Sequence, residues 1–354
     1  MLALACCAQS PALAQPAGTT DLAQFAPADG LHRRVLGSVG DGSFGVPVAG
    51  GFDMDRDGQA DYAFAAMRAS PQGRNNAGEV FLIFGDGSIA GQLDTAQPDP
   101  RVLRIHGDQV QENAGSEIWM ADVTGDGYGE LIICRQNYTP DGNRIGAGAL
   151  TLIGASAALR TMAANGEALD LRAPPAGIPI LTIYGAMQLS RLCIWAREGD
   201  VTGDGIADLA IGADREPSNG DSNSGAVYLL RGGAWLDSAA DIDLASFGTV
   251  AAGQLARIRP RPGSVNFHLG ATLTVADLDG NGTAEVLAAA TLNRMGAALS
   301  PLGLAGKGSG GTEDGTLFIA WDDNFSGDWL PAPDFVIDAG QGSYTIVDGA
   351  DDNV

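Results

Sequence analysis

Four cysteines, three histidines, 6% aromatic residues and 20 basic side chains are few for a chain of 354 residues. Each shortage excludes something. Cys6 and Cys7 lie at the N-terminus, while Cys134 and Cys193 each sit inside an apolar, strand-like run. The latter pair reads as two small buried hydrophobes in preference to a disulfide, and no disulfide framework is expected to hold the chain together. His32, His106 and His268 stand far apart, with no partner at metal-ligand spacing. No nucleophile elbow of the GxSxG kind, no HExxH and no phosphate-binding glycine loop occurs. The 43 acidic residues bring the formal net charge to −23, which excludes a nucleic-acid binder working through phosphate contacts. Beyond the N-terminus no apolar run approaches the length of a membrane span.

What is present points to a packed, turn-rich chain. A hydrophobic share of 45% supplies a core, and 51 glycines supply tight turns. Length alone allows two ordinary domains, or one propeller or barrel. Residues 1–14 are apolar and small, with Ala12, Leu13 and Ala14 ahead of Gln15. They read as a secretory signal without its basic n-region, which predicts a secreted, periplasmic or cell-surface protein. A lipoprotein reading at Cys6 or Cys7 is weaker. Residues 15–30 read as a linker, and residues 31–354 as the folded part.

One nine-residue pattern organises that part. It occurs as DMDRDGQAD from Asp53, DVTGDGYGE from Asp122, DVTGDGIAD from Asp200 and DLDGNGTAE from Asp277, at offsets of 69, 78 and 77 residues. In the third copy, oxygen-bearing side chains stand at positions 1, 3, 5 and 9 (Asp200, Thr202, Asp204 and Asp208), and Gly205 occupies position 6. Alternate residues of a tight loop can aim at one centre, and a hard cation such as calcium takes about six to eight oxygens. The four copies hold 13 of the 43 acidic residues, so four divalent ions would bring −23 to −15. Turns favour lone Asp-Gly pairs; they do not account for four copies in this register.

The flanks repeat with the loop. A strand is predicted before each copy (Phe44 to Phe52, Ser116 to Ala121, Leu192 to Ala196, Ala271 to Ala276) and another after it (from Tyr62, Leu131, Leu209 and Val286). A third follows a glycine, at Gly78, Gly148, Gly225 and, after a Gly-rich insertion at about 292–314, Gly315. A fourth closes each period, from Val102, Ile180 and Leu255, and Tyr344 to Val347 echoes it. Several of these runs are continuously apolar, which means burial on both faces. Four-stranded sheets stacked face to face around an axis bury their strands in this way, so the fold predicted is an all-β propeller. Only Ala155 to Leu169 reads as a short helix. The pattern gives four complete repeats plus the start of a fifth, incomplete at the C-terminus; a four-bladed ring closed by strand exchange is the alternative.

An EF-hand is ruled out, since strand-like runs stand where its position-12 Glu and flanking helices would be. With GDVTGDGIADLAIGAD followed by SGAVYLLRGG, the third repeat resembles the FG-GAP repeats of integrin α-subunit propellers and their bacterial relatives. The FG element is literal at Phe44 and Gly45, and degenerate at Ala114, Gly115 and at Leu269, Gly270; the GAP element survives only as Gly212, Ala213. The resemblance implies a seven-bladed ring, which at about 77 residues per repeat needs roughly 540 residues. It also implies up to four calcium ions, Ca2+, bracing the blade hairpins. By position the ligands are Asp53, Asp55, Asp57 and Asp61; Asp122, Thr124, Asp126 and Glu130; Asp200, Thr202, Asp204 and Asp208; and Asp277, Asp279, Asn281 and Glu285. Backbone carbonyls of Gln59, Tyr128, Ile206 and Thr283 would complete the shells. The first loop, with four carboxylates against three elsewhere, is expected to bind most tightly.

Two functions fit these expectations. The first is a non-catalytic adhesion or ligand-binding scaffold for a protein or glycan; the second is the propeller portion of an exported hydrolase or lyase. The first is preferred, because the recurring acids are all used by the loops. Trp119 and Trp195, read as equivalent positions, are assigned to stacking between blades. Arg259 and Arg261, the most basic spot, are assigned to a solvated loop.

Overall fold

The computed structural model describes residues 33–37, 42–87, 91–218, 220–290, 316–320, 325, 329, 333–337 and 344–348. The expected leader and linker at 1–30 and the insertion at 292–314 lie outside them. In chain order the strands are β1 (Arg33–Leu36), β2 (Phe44–Phe52), β3 (Asp61–Ala66), β4 (Glu79–Ile83), β5 (Gly91–Asp94), β6 (Val102–His106) and β7 (Ile118–Ala121). Then come β8 (Glu130–Arg135), β9 (Ala149–Ile153), helix α1 (Ala157–Ala164), β10 (Ala168–Asp170), β11 (Ile180–Tyr184), β12 (Ala196–Gly199), β13 (Asp208–Ala213) and β14 (Ala226–Leu230). The last are β15 (Ile242–Asp243), β16 (Leu255–Pro260), β17 (Leu269–Ala276), β18 (Glu285–Ala290), β19 (Thr316–Ala320), β20 (Asp334–Ile337) and β21 (Tyr344–Asp348).

These strands form a β-propeller of antiparallel blades. Blade 1 is β2-β3-β4-β6, blade 2 β7-β8-β9-β11, blade 3 β12-β13-β14-β16 and blade 4 β17-β18-β19-β21. The runs read as continuously apolar are buried along their whole length, as in β4, β8, β9, β13 and β14. Their side chains fill one apolar layer between each pair of neighbouring blades. Burial on both faces makes continuous hydrophobicity the stable pattern, since each face removes apolar surface from water.

Blades 1, 2 and 3 each also borrow a strand that the sequence did not reveal. The connection between the third and fourth strands of blade 2 supplies β10 parallel to β6; that of blade 3 supplies β15 parallel to β11; that of blade 4 supplies β20 parallel to β16. These edge strands run only two to four residues, too short for a periodic signal. Helix α1 falls in the same connection of blade 2, where Ser156 caps it by accepting from the Ala158 N–H. Leu159 and Ala163 bury its inner face.

The glycine ahead of the third strand in blades 1, 2 and 3 has a packing role. Gly78, Gly148 and Gly225 have φ of +85°, +83° and +81°, and a Cβ there would run into backbone of the next blade at Ala114, Leu192 and Leu269. Those three residues donate their N–H to Ala77, Ala147 and Ser224 at 2.8, 2.8 and 3.0 Å. The glycine of the FG-like element, Gly45, Gly115 or Gly270, sits at φ of +83°, +82° or +84°, a left-handed backbone that favours glycine. In blade 3 that place belongs to Cys193, at φ 65°.

Here the reading of two buried thiols is corrected. Cys134 and Cys193 form a disulfide with Cα atoms 5.2 Å apart. The reason is the stacking of blades: Ala65 meets Gly115 and Gly212 meets Gly270 at the equivalent contacts, and Cys134 meets Cys193 at the one between blades 2 and 3. Cys193 donates its N–H to Gly212 at 2.8 Å, as Gly115 does to Cys134 at 3.0 Å, and the first strand begins three residues on in both blades, at Ala196 and not at Leu192 in blade 3.

A second correction concerns the tryptophans. Trp119 pairs with Ile132 across blade 2, whereas the residue in the matching register of blade 3 is Arg197, opposite Ala210. Trp195 precedes the strand. The two indoles still meet between blades, through Arg197, whose guanidinium lies 4.7 Å from the Trp195 ring centre and 6.0 Å from that of Trp119. Arg259 is likewise half-buried and ion-paired to Asp334 at 2.8 Å, in place of the solvated loop expected. Tyr344–Asp348 is the fourth strand of blade 4, antiparallel to β19.

Candidate metal centres

All four nonapeptides are turns between the first and second strands of a blade, and one hydrogen-bond scheme shapes them. The position-1 carboxylate accepts backbone N–H groups at positions 4 to 6: Asp200 from Gly203, Asp204 and Gly205 at 2.6, 3.1 and 2.7 Å, and Asp122 and Asp277 in the same way. Asp53 accepts from Asp57 and Gly58. Position 5 accepts from position 7: Asp57 from Gln59, Asp126 from Tyr128, Asp204 from Ile206 and Asn281 from Thr283. Position 9 opens the second strand and reaches back to position 2: Asp61 to Met54, Glu130 to Val123, Asp208 to Val201 and Glu285 to Leu278.

Crowding of carboxylates differs among the loops. In the first, oxygens of Asp53, Asp55 and Asp61 lie within 4.8 Å of one another. Asp57 is outside that group. Among the described residues the other loops gather no such triad. Their neutral members explain this in part: Thr124 donates to Glu130 at 3.2 Å, and Asn281 accepts from Thr283. Asp126 is held at 2.8 Å by Arg56, which comes from the first loop and also covers the Tyr128 ring at 4.3 Å. Arg160 of α1 reaches Asp55 at 3.3 Å.

Electrostatics favour a cation at these turns. Burial pushes the Asp61 carboxyl up to about 6, with the charges of Asp55 and Asp53 adding to it against backbone N–H bonds from Gly85 and Met54. Asp55 is raised by burial and by Asp57. Burial likewise lifts Glu130 to about 7, helped by Asp126 and Asp122, and Asp208 to about 6, helped by Asp204. A carboxylate group that is costly to ionise alone is relieved by a divalent ion, which inverts the local charge balance. The residues present therefore fit calcium, with hard oxygens only and a glycine at the turn.

Comparison with known families bears on the blades. The FG-GAP repeat family profile matches residues 199–230, the stretch holding the third nonapeptide together with β13 and β14. The chain carries an FG-GAP repeat. Blades 1, 2 and 4 repeat the matched strand order and turn scheme. No curated protein matches the chain. Among the described residues no helix is long and apolar enough to cross a membrane.

The opposite face of the blades holds what the sequence did not show. Connections between second and third strands, and from one blade to the next, lie at the end away from the nonapeptides. They run side by side in a ladder repeated three times: Gln111, Asn113 and Ala114 donate to Asn75, Asn76 and Ala77; Leu189, Arg191 and Leu192 to Ile145, Gly146 and Ala147; Asn266, His268 and Leu269 to Ser222, Asn223 and Ser224. The first two donors of each set are left-handed, including Leu189 at φ 60°. Such backbone strain in non-glycine residues clusters at functional sites. No residue pattern marks this ladder, because its bonds are backbone to backbone.

One titratable group apart from the loops gives a test of burial. Glu216 accepts from the Tyr228 hydroxyl at 2.7 Å and is pushed up to about 7 by its own desolvation. The folded chain keeps a proton that the unfolded chain releases above its ordinary value near 4.5. This contribution to stability is therefore full below about pH 4.5, declines as pH rises towards 7 and is absent above. Unfolding free energies from urea titration of the native chain minus those of Glu216→Gln are expected to fall between pH 5 and pH 8, by up to about 3 kcal/mol across the window. A constant difference would contradict the assignment.

Proposed function

We propose that this is an exported, calcium-braced propeller that binds a protein or glycan through the face opposite its metal loops. The observation that carries the reading is the placement of apolar surface. Val110, Ile145, Met187, Leu189 and Val265, each 40 to 56% exposed, all lie on the laddered connections. Exposed apolar groups gathered on a preorganised surface suit recognition, because little ordering entropy is lost on binding. The chemistry of the rest supports binding over catalysis: Glu112 and Glu216, the glutamates raised outside the nonapeptides, are almost wholly buried, out of reach of a substrate. The Cys134–Cys193 bond supports an oxidising compartment outside the cytosol.

The test is a screen on glycan arrays and immobilised extracellular proteins, followed by substitution. Ile145→Asp combined with Leu189→Asp is expected to weaken binding at least tenfold without lowering the melting temperature. Leu278→Asp, an exposed apolar residue of a metal loop, is expected to leave binding unchanged. Retained binding in the first variant, or loss in the second, would contradict the proposal.

A further inference from the structure

The connection from the third strand of a blade to its fourth reaches back to the nonapeptide of the blade before, by the same steps in blades 2 and 3. Three residues past β9 and β14 stand Ser156 and Gly233. Each donates its N–H to the position-2 carbonyl of the preceding loop, Met54 or Val123, at 2.8 Å. A helical turn follows in both, α1 in blade 2 and Ala234–Ser238 in blade 3. The third residue of that turn, Leu159 or Leu236, is buried in the apolar layer that holds Met54 or Val123. The next residue is Arg160 in one connection and Asp237 in the other. Backbone bond, buried leucine and register agree, so Arg160 and Asp237 occupy one place in the fold.

At the first loop this place is met by a carboxylate. The Arg160 guanidinium lies 3.3 Å from the buried Asp55, at position 3, and 5.2 Å from the Phe84 ring centre. In the second loop position 3 is the neutral Thr124. There Asp237 and Leu236 line, with Thr124 and Glu130, a cavity of about 30 Å3, room enough for a bridging water. Among the described residues nothing pairs with the Asp237 carboxylate. A cation thus faces the loop that has a carboxylate at position 3, and an anion faces the loop that lacks one. The first loop sets four carboxylates against Arg160, and the second sets three of its own and Asp237 against Arg56. The third has Asp200, Asp204 and Asp208, with no paired arginine among the described residues, so each of the three loops carries three net negative charges. What still sets the first apart is the convergence of Asp53, Asp55 and Asp61.

We infer that this place in the connection sets the divalent-cation affinity of the preceding blade's loop: Arg160 lowers it at the first site, and Asp237, acting across the cavity, raises it at the second. The inference rests on the calcium reading of the nonapeptides. Both side chains are charges added beside the ligands that the turns supply, and charge placed there tunes the hold on the ion. Each of these two metal sites is therefore finished by a residue from the next blade.

Calorimetric calcium titration of the chelator-stripped full chain tests this one loop at a time. The first site is isolated by Asp122→Asn, Asp200→Asn and Asp277→Asn, the second by Asp53→Asn, Asp200→Asn and Asp277→Asn. Arg160→Gln is expected to tighten the first site by about threefold or more, and Asp237→Asn to weaken the second by about threefold or more, both shifts shrinking at high salt. Arg160→Lys and Asp237→Glu, which keep the charges, are expected to keep the native affinities. General damage to the fold would weaken both sites, so the opposite signs separate a charge effect from a structural one. Affinity unchanged in either neutral variant, or shifts of the same sign, overturns the inference and leaves the calcium reading standing. A chain that takes up no calcium at either site overturns both.

Discussion

Calcium is expected to raise the melting temperature of the chelator-treated chain by more than any single substitution changes it. Ligand at about 100 times its dissociation constant stabilises by roughly 2.7 kcal/mol per site, and the sites act together if all four fill. The physical reason lies in the turns. Each first-to-second-strand turn carries three or four carboxylates around a glycine bend, and burial makes Asp61, Glu130 and Asp208 costly to ionise without a cation. The first loop, where Asp53, Asp55 and Asp61 already converge, should fill first. Asp53→Asn combined with Asp55→Asn is expected to remove about one site's share of the calcium-dependent gain, and the same pair of changes at Asp277 and Asp279 a comparable share at higher calcium. A melt that ignores both calcium and chelator would falsify the bracing role.

Loss of the Cys134–Cys193 bond is expected to cost about 4 kcal/mol. The bond closes a loop of 59 residues, and the chain-entropy account gives a figure of that size for such a loop. The effect should be the same for reduction and for the Cys134→Ala, Cys193→Ala double variant. Ala suits position 134, whose equivalent in blade 1 is Ala65, and at position 193 it keeps the left-handed strain that the cysteine already bears. Cys193→Gly, which restores the residue found at Gly115 and Gly270, is therefore expected to be the milder replacement. Equal denaturant midpoints with and without reductant would contradict the prediction.

Blades were legible because a nine-residue turn and four apolar runs recur with it. Periodicity of that kind reports local structure, and it placed the second, third and fourth strands within a residue or two. Contacts between blades left weaker marks. The clasp of Arg74 on Asp170 and of Arg144 on Asp243 joins residues 96 and 99 apart in sequence, and the borrowed strands are too short to show a period. The disulfide had a trace: aligned with the other FG elements, Cys193 takes the glycine's place and Cys134 the place of Ala65 and Gly212. Weighing each cysteine in its own apolar run hid that pairing. The tryptophans show the converse error, since Trp119 and Trp195 look equivalent by nearness to the loop but differ in strand register. As for the sites, the sequence nominated oxygens in all four turns, and the structure gathers three of them, from Asp53, Asp55 and Asp61. The sequence could not tell that Arg56 and Arg160 reach Asp126 and Asp55, because both contacts arise from folding.

Calcium stoichiometry tests the central claim most directly. Native mass spectrometry of the chelator-stripped chain, titrated with calcium, should show up to four bound ions, with one fewer for each loop whose position-1 aspartate is changed to asparagine. A chain that binds none, or that keeps its full number after Asp53, Asp122, Asp200 and Asp277 are all replaced, would contradict the claim that the nonapeptides hold the metal.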